Sequence, residues 1–315
     1  LLSRGLGDVY KRQMIFHYLK IAFRNLCKHK TQNIISIIGL AVGLLCFCVC
    51  IYCSRFVEST DHCFANHDRI AELNLYDGKA DRYFSGSPVP LAEDLRTWSL
   101  GETEAISSVT YPRERPYYVE LSPEKTLPYE LETIEIDTCY NKIFTPEMVA
   151  GHWKMASQSL NSVILSQSMA IKIFGNAESA IGKHMTLMRR LNTSPESTPK
   201  TGGIVYTIQA VMKDIPLNNS LDFMQNIDML TVNDSEGLLQ SPKRYNMTGA
   251  NTYVLLSPQT TCTDLEKQFS KRDYTYTLYG EAYTVTASSM GARLKKQGAS
   301  YLGLVTGTVG TLILL

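Results

Sequence analysis

Ile34 to Cys53, IISIIGLAVGLLCFCVCIYC, runs for 20 residues without a charge. As a helix rising 1.5 Å per residue it would reach roughly 30 Å, the thickness of the hydrocarbon layer of a bilayer. The segment therefore reads as a transmembrane helix over 34–53. A cleaved signal peptide has a shorter apolar core and a small-residue exit, whereas this core leaves through Ser54, Arg55 and Phe56. A lipoprotein signal needs a small residue just before its cysteine. Leu45, Phe47, Val49 and Tyr52 stand there instead.

Charge orients the span. The whole chain carries only +1, which does not suggest a nucleic-acid binder, but the total hides an asymmetry. Residues 1 to 53 hold seven basic side chains against Asp8, leaving 24 basic and 29 acidic side chains for the rest. Lys20, Arg24, Lys28 and Lys30 lie close before the span, so the positive-inside rule keeps the N-terminus cytoplasmic. Residues 14–33 have apolar positions at helical spacing with cations between them, which predicts an amphipathic helix along the cytoplasmic membrane surface.

A second uncharged run, Gly298 to Leu315, follows Arg293, Lys295 and Lys296 and is still apolar where the sequence stops. It reads as the start of a second transmembrane helix, 298–315, in a fragment cut inside it. LLSRGLGDVYKRQ, residues 1–13 before Met14, reads as a non-native, adaptor-derived tail.

Between the two runs, residues 54–297 mix short alternating and short helical patterns. Ser87–Trp98 reads as a helix entered through Pro88 and Pro90. Ser162–Phe174 reads as a strand running into a helix, with a serine at its start and Gly175 just past its end. His184–Leu191 and Ile204–Asp214 read as a hairpin around NTSPESTPKTGG. Thr252–Leu256 reads as a strand, and a helix begins at Thr263. There is no regular βαβ rhythm, so the expected fold class is α+β: an extracytoplasmic mixed α/β core domain flanked by transmembrane helices.

Chemistry is sparse in this stretch. DHCFANHD, residues 61 to 68, gathers two histidines, a cysteine and two aspartates, but His62 and His67 are five apart and would not share a helix face as metal-binding pairs do. GNAESAIGKH, residues 175 to 184, lacks both the spacing and the hydroxyl of a phosphate loop, and reads as a helix exit and a turn. No nucleophile elbow occurs. No catalytic, cofactor-binding or metal site is expected. Cys63, Cys139 and Cys262 are odd in number, so at most one pair could form, and they read as buried free thiols. Asparagine sequons begin at Asn192, Asn218, Asn233 and Asn246, and matter only in a glycosylating pathway.

The likeness to a known family rests on longer stretches. They are LKIAFRNLCKHKTQNIISIIGLAVGL, RFVESTDHCFANHDRI, ETIEIDTCYNKIFTPEMVAGHW, NSVILSQSMAIKIFGNAESAIGKHMTL and YTIQAVMKDIPLNNSLDF. In this order they resemble the MacB/FtsX-like ABC transporter permeases with a MacB-like periplasmic core domain. The chain departs from that pattern at Cys63, Ala71 and Glu72. The resemblance implies a non-catalytic permease subunit of a bacterial inner (plasma) membrane, working with a separate ABC ATPase subunit. It would relay ATP-driven movement to a periplasmic domain for export or extraction of peptide, drug or lipoprotein cargo. It also implies the lipid bilayer as surroundings, a homo- or heterodimer of permeases and periplasmic partner proteins. The rival reading is a membrane-bound extracytoplasmic sensor domain of a signalling receptor.

Four cysteines of the span have a bulk explanation. At 100° per residue, Ser36, Gly39, Gly43, Cys46, Cys50 and Cys53 fall within a stripe about 100° wide, while Cys48 points away. Small side chains let membrane helices approach, so these six residues are expected to pack against another helix.

Overall fold

Helix α1, Lys30–Glu58, contains the whole uncharged run and extends beyond it at both ends. Its 29 residues reach about 43 Å at 1.5 Å per residue. That length places Lys30 and the pair Arg55 and Glu58 outside a hydrocarbon layer of about 30 Å. None of its residues is buried, and among the described residues it is the one helix long and apolar enough to cross a membrane. A computed structural model describes residues 30–84, 86–187, 203–216, 218–219, 227–235, 237–240, 248–278 and 280–290, together with scattered positions from 14 to 29 and residue 292. The tail at 1–13, the loop tip at 188–202 and the second apolar run at 298–315 lie outside the described residues. The described positions between Met14 and Lys28 are helical, and His29 is in a turn before α1.

Ser59–Lys296 forms a compact unit distinct from the one that holds α1. Half of it is a closed barrel. Its strands are β5 (Arg113–Ser122), β6 (Lys125–Ile136), β8 (Ser162–Ser166), β9 (His184–Leu187), β10 (Val205–Met212) and β11 (Met229–Val232). They neighbour one another in the order β11, β8, β10, β9, β5, β6, and a β6–β11 pairing closes the ring. β8 with β10 and β6 with β11 are parallel, and the other pairs are antiparallel. Parallel neighbours need a crossover. Helix α5 (Gln167–Phe174) and β9 supply it between β8 and β10.

Alternation sorts the strand residues. Tyr117 and Val119, Leu131, Val163 and Leu165, Met185, Tyr206 and Ile208, and Met229 are fully buried in one cluster inside the barrel. Each such apolar side chain contributes about 1.5–3 kcal/mol against the entropy of ordering it. The alternate residues Ile134, Ile136, Ile164, Ala210, Leu230 and Val232 face outward into a second cluster. Helix α3 (Tyr140–Phe144) meets them there with Tyr140, Ile143 and Phe144.

The other half is an antiparallel sheet in the order β4 (Thr103–Thr110), β12 (Thr248–Leu256), β1 (Ile70–Asp77), β14 (Glu281–Ser289), β13 (Thr275–Leu278). It joins the barrel through one β4–β6 pair, Val109 with Ile136. Helices α2 (Leu91–Arg96) and α6 (Cys262–Lys271) bury Leu91, Leu95, Leu265 and Phe269 in its third cluster. Short strands β2 (Arg82–Phe84) and β3 (Ser87–Pro88) pair with β1 and β12. β7 (Met148–Gly151) pairs with β10 and leads into α4 (Trp153–Gln158). The mixed α/β architecture expected from the sequence is the one observed.

Several local readings hold and one is corrected. Ser166 caps α5 by accepting from the Met169 N–H, and Gly175 closes it at φ 86°. β9 and β10 form the antiparallel hairpin. α6 opens on a capping box made by Thr261 and Asp264. The helix expected over Ser87–Trp98 is only Leu91–Arg96, because Ser87 and Pro88 pair with β12 instead.

Candidate functional site

The chain leaves α1 at Glu58 and passes through turns before β1, and side chains fix this entrance. The Asn218 amide donates to Ser59 Oγ at 2.8 Å, Thr60 Oγ1 donates to Asn218 Oδ1 at 3.0 Å, and the Asp61 N–H donates to the Asn218 carbonyl at 3.1 Å. Asp61 is buried in the left-handed region at φ 70°, which aspartate tolerates better than most residues. Neighbouring Asn219 is fully buried and donates to the Pro216 carbonyl. The DIPLNN stretch thus grips the start of the domain. It follows directly from β10, and its Asp214 accepts the Ser168 N–H at the start of α5.

Further along, Phe64 meets Phe144 edge-on with ring centroids 5.1 Å apart, and the Asn66 amide donates to the Ile143 carbonyl. Arg69 donates to Glu104 at 2.9 Å and to the Leu256 carbonyl at 3.0 Å. The entrance is therefore fastened to the barrel, to α3 and to the sheet. The exit lies beside it: β1 pairs with β14, Ala71 opposite Ser289, and the Met290 N–H donates to the Ile70 carbonyl at 2.9 Å.

A second polar cluster sits at the end of the barrel opposite the start of α5. The Glu135 carboxylate accepts the N–H groups of Leu238 at 2.6 Å and Leu239 at 2.9 Å. Fully buried Asp234 accepts from Tyr206 Oη at 2.7 Å and from Arg115 at 3.4 Å. Burial first, and the Asp234 charge second, push the Glu135 carboxyl up to about 7, while the two N–H donors and Arg115 oppose the shift.

His62 and His67 are brought together, with ring centroids 4.4 Å apart, because residues 59–66 form turns and not a helix, which would have held them on different faces. Among the described residues no group of three or more His, Cys, Asp or Glu is arranged to hold a metal ion. Of the packing stripe, Gly43, Cys46 and Cys50 are partly covered while Ser36, Gly39 and Cys53 are exposed, and no neighbour among the described residues lies where a side chain on Gly39 or Gly43 would point. Two sequon asparagines are engaged: Asn218 as above, and Asn233, whose amide donates to the Ser157 and Ser159 carbonyls. Asn192 and Asn246 lie outside the described residues. Cys63, Cys139 and Cys262 are free thiols, but the burial expected of them is corrected: Cys63 is exposed and the other two are half-buried.

The sequence marks Asn218 as a sequon and Asp61 as one member of a polar cluster, and neither reading gives its structural role, although two adjacent asparagines after a proline are a turn signal; Glu135 and Asp234 carry no local mark. Nothing in the sequence pointed to the contact of Glu135 with a segment about 100 positions away.

These features define a class: a mixed α/β domain, entered and left at one place, carried behind a helix able by length and composition to cross a membrane. Among solved structures, the chain is similar to a domain of a provisionally assigned permease from Porphyromonas gingivalis, with 21% identity and a TM-score of 0.53 over 72% of this chain and 93% of that one. The periplasmic region of MacB from Actinobacillus actinomycetemcomitans is 13% identical with a TM-score of 0.46, covering 73% of this chain and 92% of that one. The extracellular domain of the ABC-type transporter YknZ from Gram-positive bacteria is 12% identical with a TM-score of 0.42, covering 70% and 99%. No family model and no curated protein matches. The likeness to the Porphyromonas gingivalis domain is one of fold.

Proposed function

We propose that the chain is a permease subunit of an ABC transporter, non-catalytic itself, that passes movement from its membrane helices to an outer domain. The entrance carries this reading: the first residues after α1 are bonded through Asn218 to the exit of β10, and the strand they lead into, β1, pairs with β14. In this reading a displacement applied at Ser59 is passed to the barrel wall and to the sheet together. In this reading the N-terminus and residues 14–33 are cytoplasmic, 34–53 spans the inner membrane, 54–297 is periplasmic, and 298–315 begins a second span. Ser36, Gly39, Gly43, Cys46, Cys50 and Cys53 would seat another permease helix, in a homo- or heterodimer. A separate ATPase supplies the energy, and peptide, drug or lipoprotein cargo or a periplasmic partner receives the movement.

The test is affinity purification of the full-length protein from its native membrane, followed by an ATP hydrolysis assay. Co-purification of an ATPase with a phosphate loop supports the reading. A full-length protein that continues into a kinase, or that purifies without any ATPase, overturns it in favour of a sensor.

A further inference from the structure

The turns between α1 and β1 remove the objection that the spacing of DHCFANHD raises against a metal ion. A helix would hold His62 and His67 on different faces, whereas here their rings lie 4.4 Å apart, tilted by 46°. His67 is oriented on both of its nitrogens. A carbonyl oxygen can only accept, so Nδ1, 3.1 Å from the Phe64 carbonyl, carries the proton of the neutral ring and leaves Nε2 bare. That Nε2 stands 3.2 Å from Asp68 Oδ1. Two acceptors facing each other call for a cation between them, either a second proton or a metal ion. We propose that His67 and Asp68, joined by His62, bind one zinc ion.

Dimensions and donor chemistry both fit. Zinc takes nitrogen at about 2.0–2.1 Å and carboxylate oxygen at about 2.0–2.2 Å in a tetrahedron, so two of its ligands stand about 3.3 Å apart. The separation of His67 Nε2 from Asp68 Oδ1 matches that edge. The bond from Nδ1 to a main-chain carbonyl is the support by which histidine ligands keep their tautomer and direction. Imidazole beside a carboxylate suits zinc, whereas calcium and magnesium take oxygen ligands. Among the described residues no three ligands stand together as a finished set. His62 supplies the third, because its ring is exposed and has only to turn from its place beside His67. Asp68 is 87% exposed, so water reaches the fourth position. Cys63 lies within electrostatic reach of Asp61 and Tyr140 and is not counted as a ligand. Zinc held by residues 62, 67 and 68 closes the stretch between them into a ring and stiffens the way into the domain.

The experiment is calorimetric titration of the untagged full chain in detergent with zinc, repeated with cobalt as a visible probe of ligand geometry and with calcium as a control. One zinc ion should bind per chain, cobalt should show the absorption of a tetrahedral site, and calcium should not bind. His62→Ala, His67→Ala and Asp68→Asn should each weaken zinc binding by at least the roughly 10–100-fold that loss of an outer-shell partner costs. Cys63→Ser should leave it unchanged. No saturable zinc binding by the wild type leaves a proton between His67 and Asp68 and overturns the site, and so does binding that persists in His67→Ala. Loss of binding in Cys63→Ser overturns the ligand set. Should His67→Ala fail to fold, His62→Ala and Asp68→Asn at exposed positions decide: unchanged affinity in both overturns the proposal.

Discussion

Asn218→Ala tests the entrance directly. The substitution removes two side-chain hydrogen bonds, to Ser59 and from Thr60, and leaves the main-chain bond from Asp61 in place. Neutral hydrogen bonds of this kind contribute about 0.5–1.5 kcal/mol each, so the loss in stability should be about 1–3 kcal/mol. Urea unfolding of the full chain in detergent measures it. A double-mutant cycle with Ser59→Ala isolates one bond, with an expected coupling of about 0.5–1.5 kcal/mol. The functional readout is the change in hydrogen exchange that ATP causes in the barrel strands when the partner ATPase is present. That change should shrink or vanish in Asn218→Ala although the barrel stays folded. A coupling near zero would show that the two side chains do not act on each other. An undiminished ATP response would show that movement reaches the barrel by another route.

Three further outcomes are expected. Gly151→Ala should cost about 3 kcal/mol or more in a thermal melt, because a left-handed backbone already disfavours a side chain, and at φ 70° its Cβ would stand 2.2 Å from the Gln209 carbonyl oxygen. Cys63, whose thiol is pushed up to about 11 by partial burial and by the Asp61 carboxylate, should react with iodoacetamide about tenfold faster per pH unit from 7 to 10, where an ordinary thiol levels off near 9. In bilayers, Gly39→Leu with Gly43→Leu should weaken permease association measured by crosslinking, whereas alanine at Cys46, Cys50 and Cys53 should change it little. The reverse result would give sulfur a specific role.

Local features were legible in the sequence because local rules govern them. The uncharged run became α1, Ser166 and Gly175 marked both ends of α5, and alternation found β9 and β10. The barrel was not legible. Its closure depends on Met229–Val232 lying parallel to Thr133–Ile136, a pairing between residues far apart whose only local trace is two short apolar runs. The polar sites were hidden for the same reason. Glu135 looks like one charge in an alternating strand, and only the fold brings Leu238 and Asp234 to it. Over Ser87–Trp98 the prolines signal a helix entrance locally, but a neighbouring strand pairs with Ser87 and Pro88 and delays the helix to Leu91.

The single hydrogen bond between Met290 and Ile70 has a bearing on ancestry as well as on mechanics. A domain whose two ends emerge next to each other can be spliced into a short turn between two helices without prising those helices apart. The stretch from Ile70 to Met290 therefore has the geometry of a cassette. A stretch closed in this way can be expressed on its own by joining or freeing its adjacent ends.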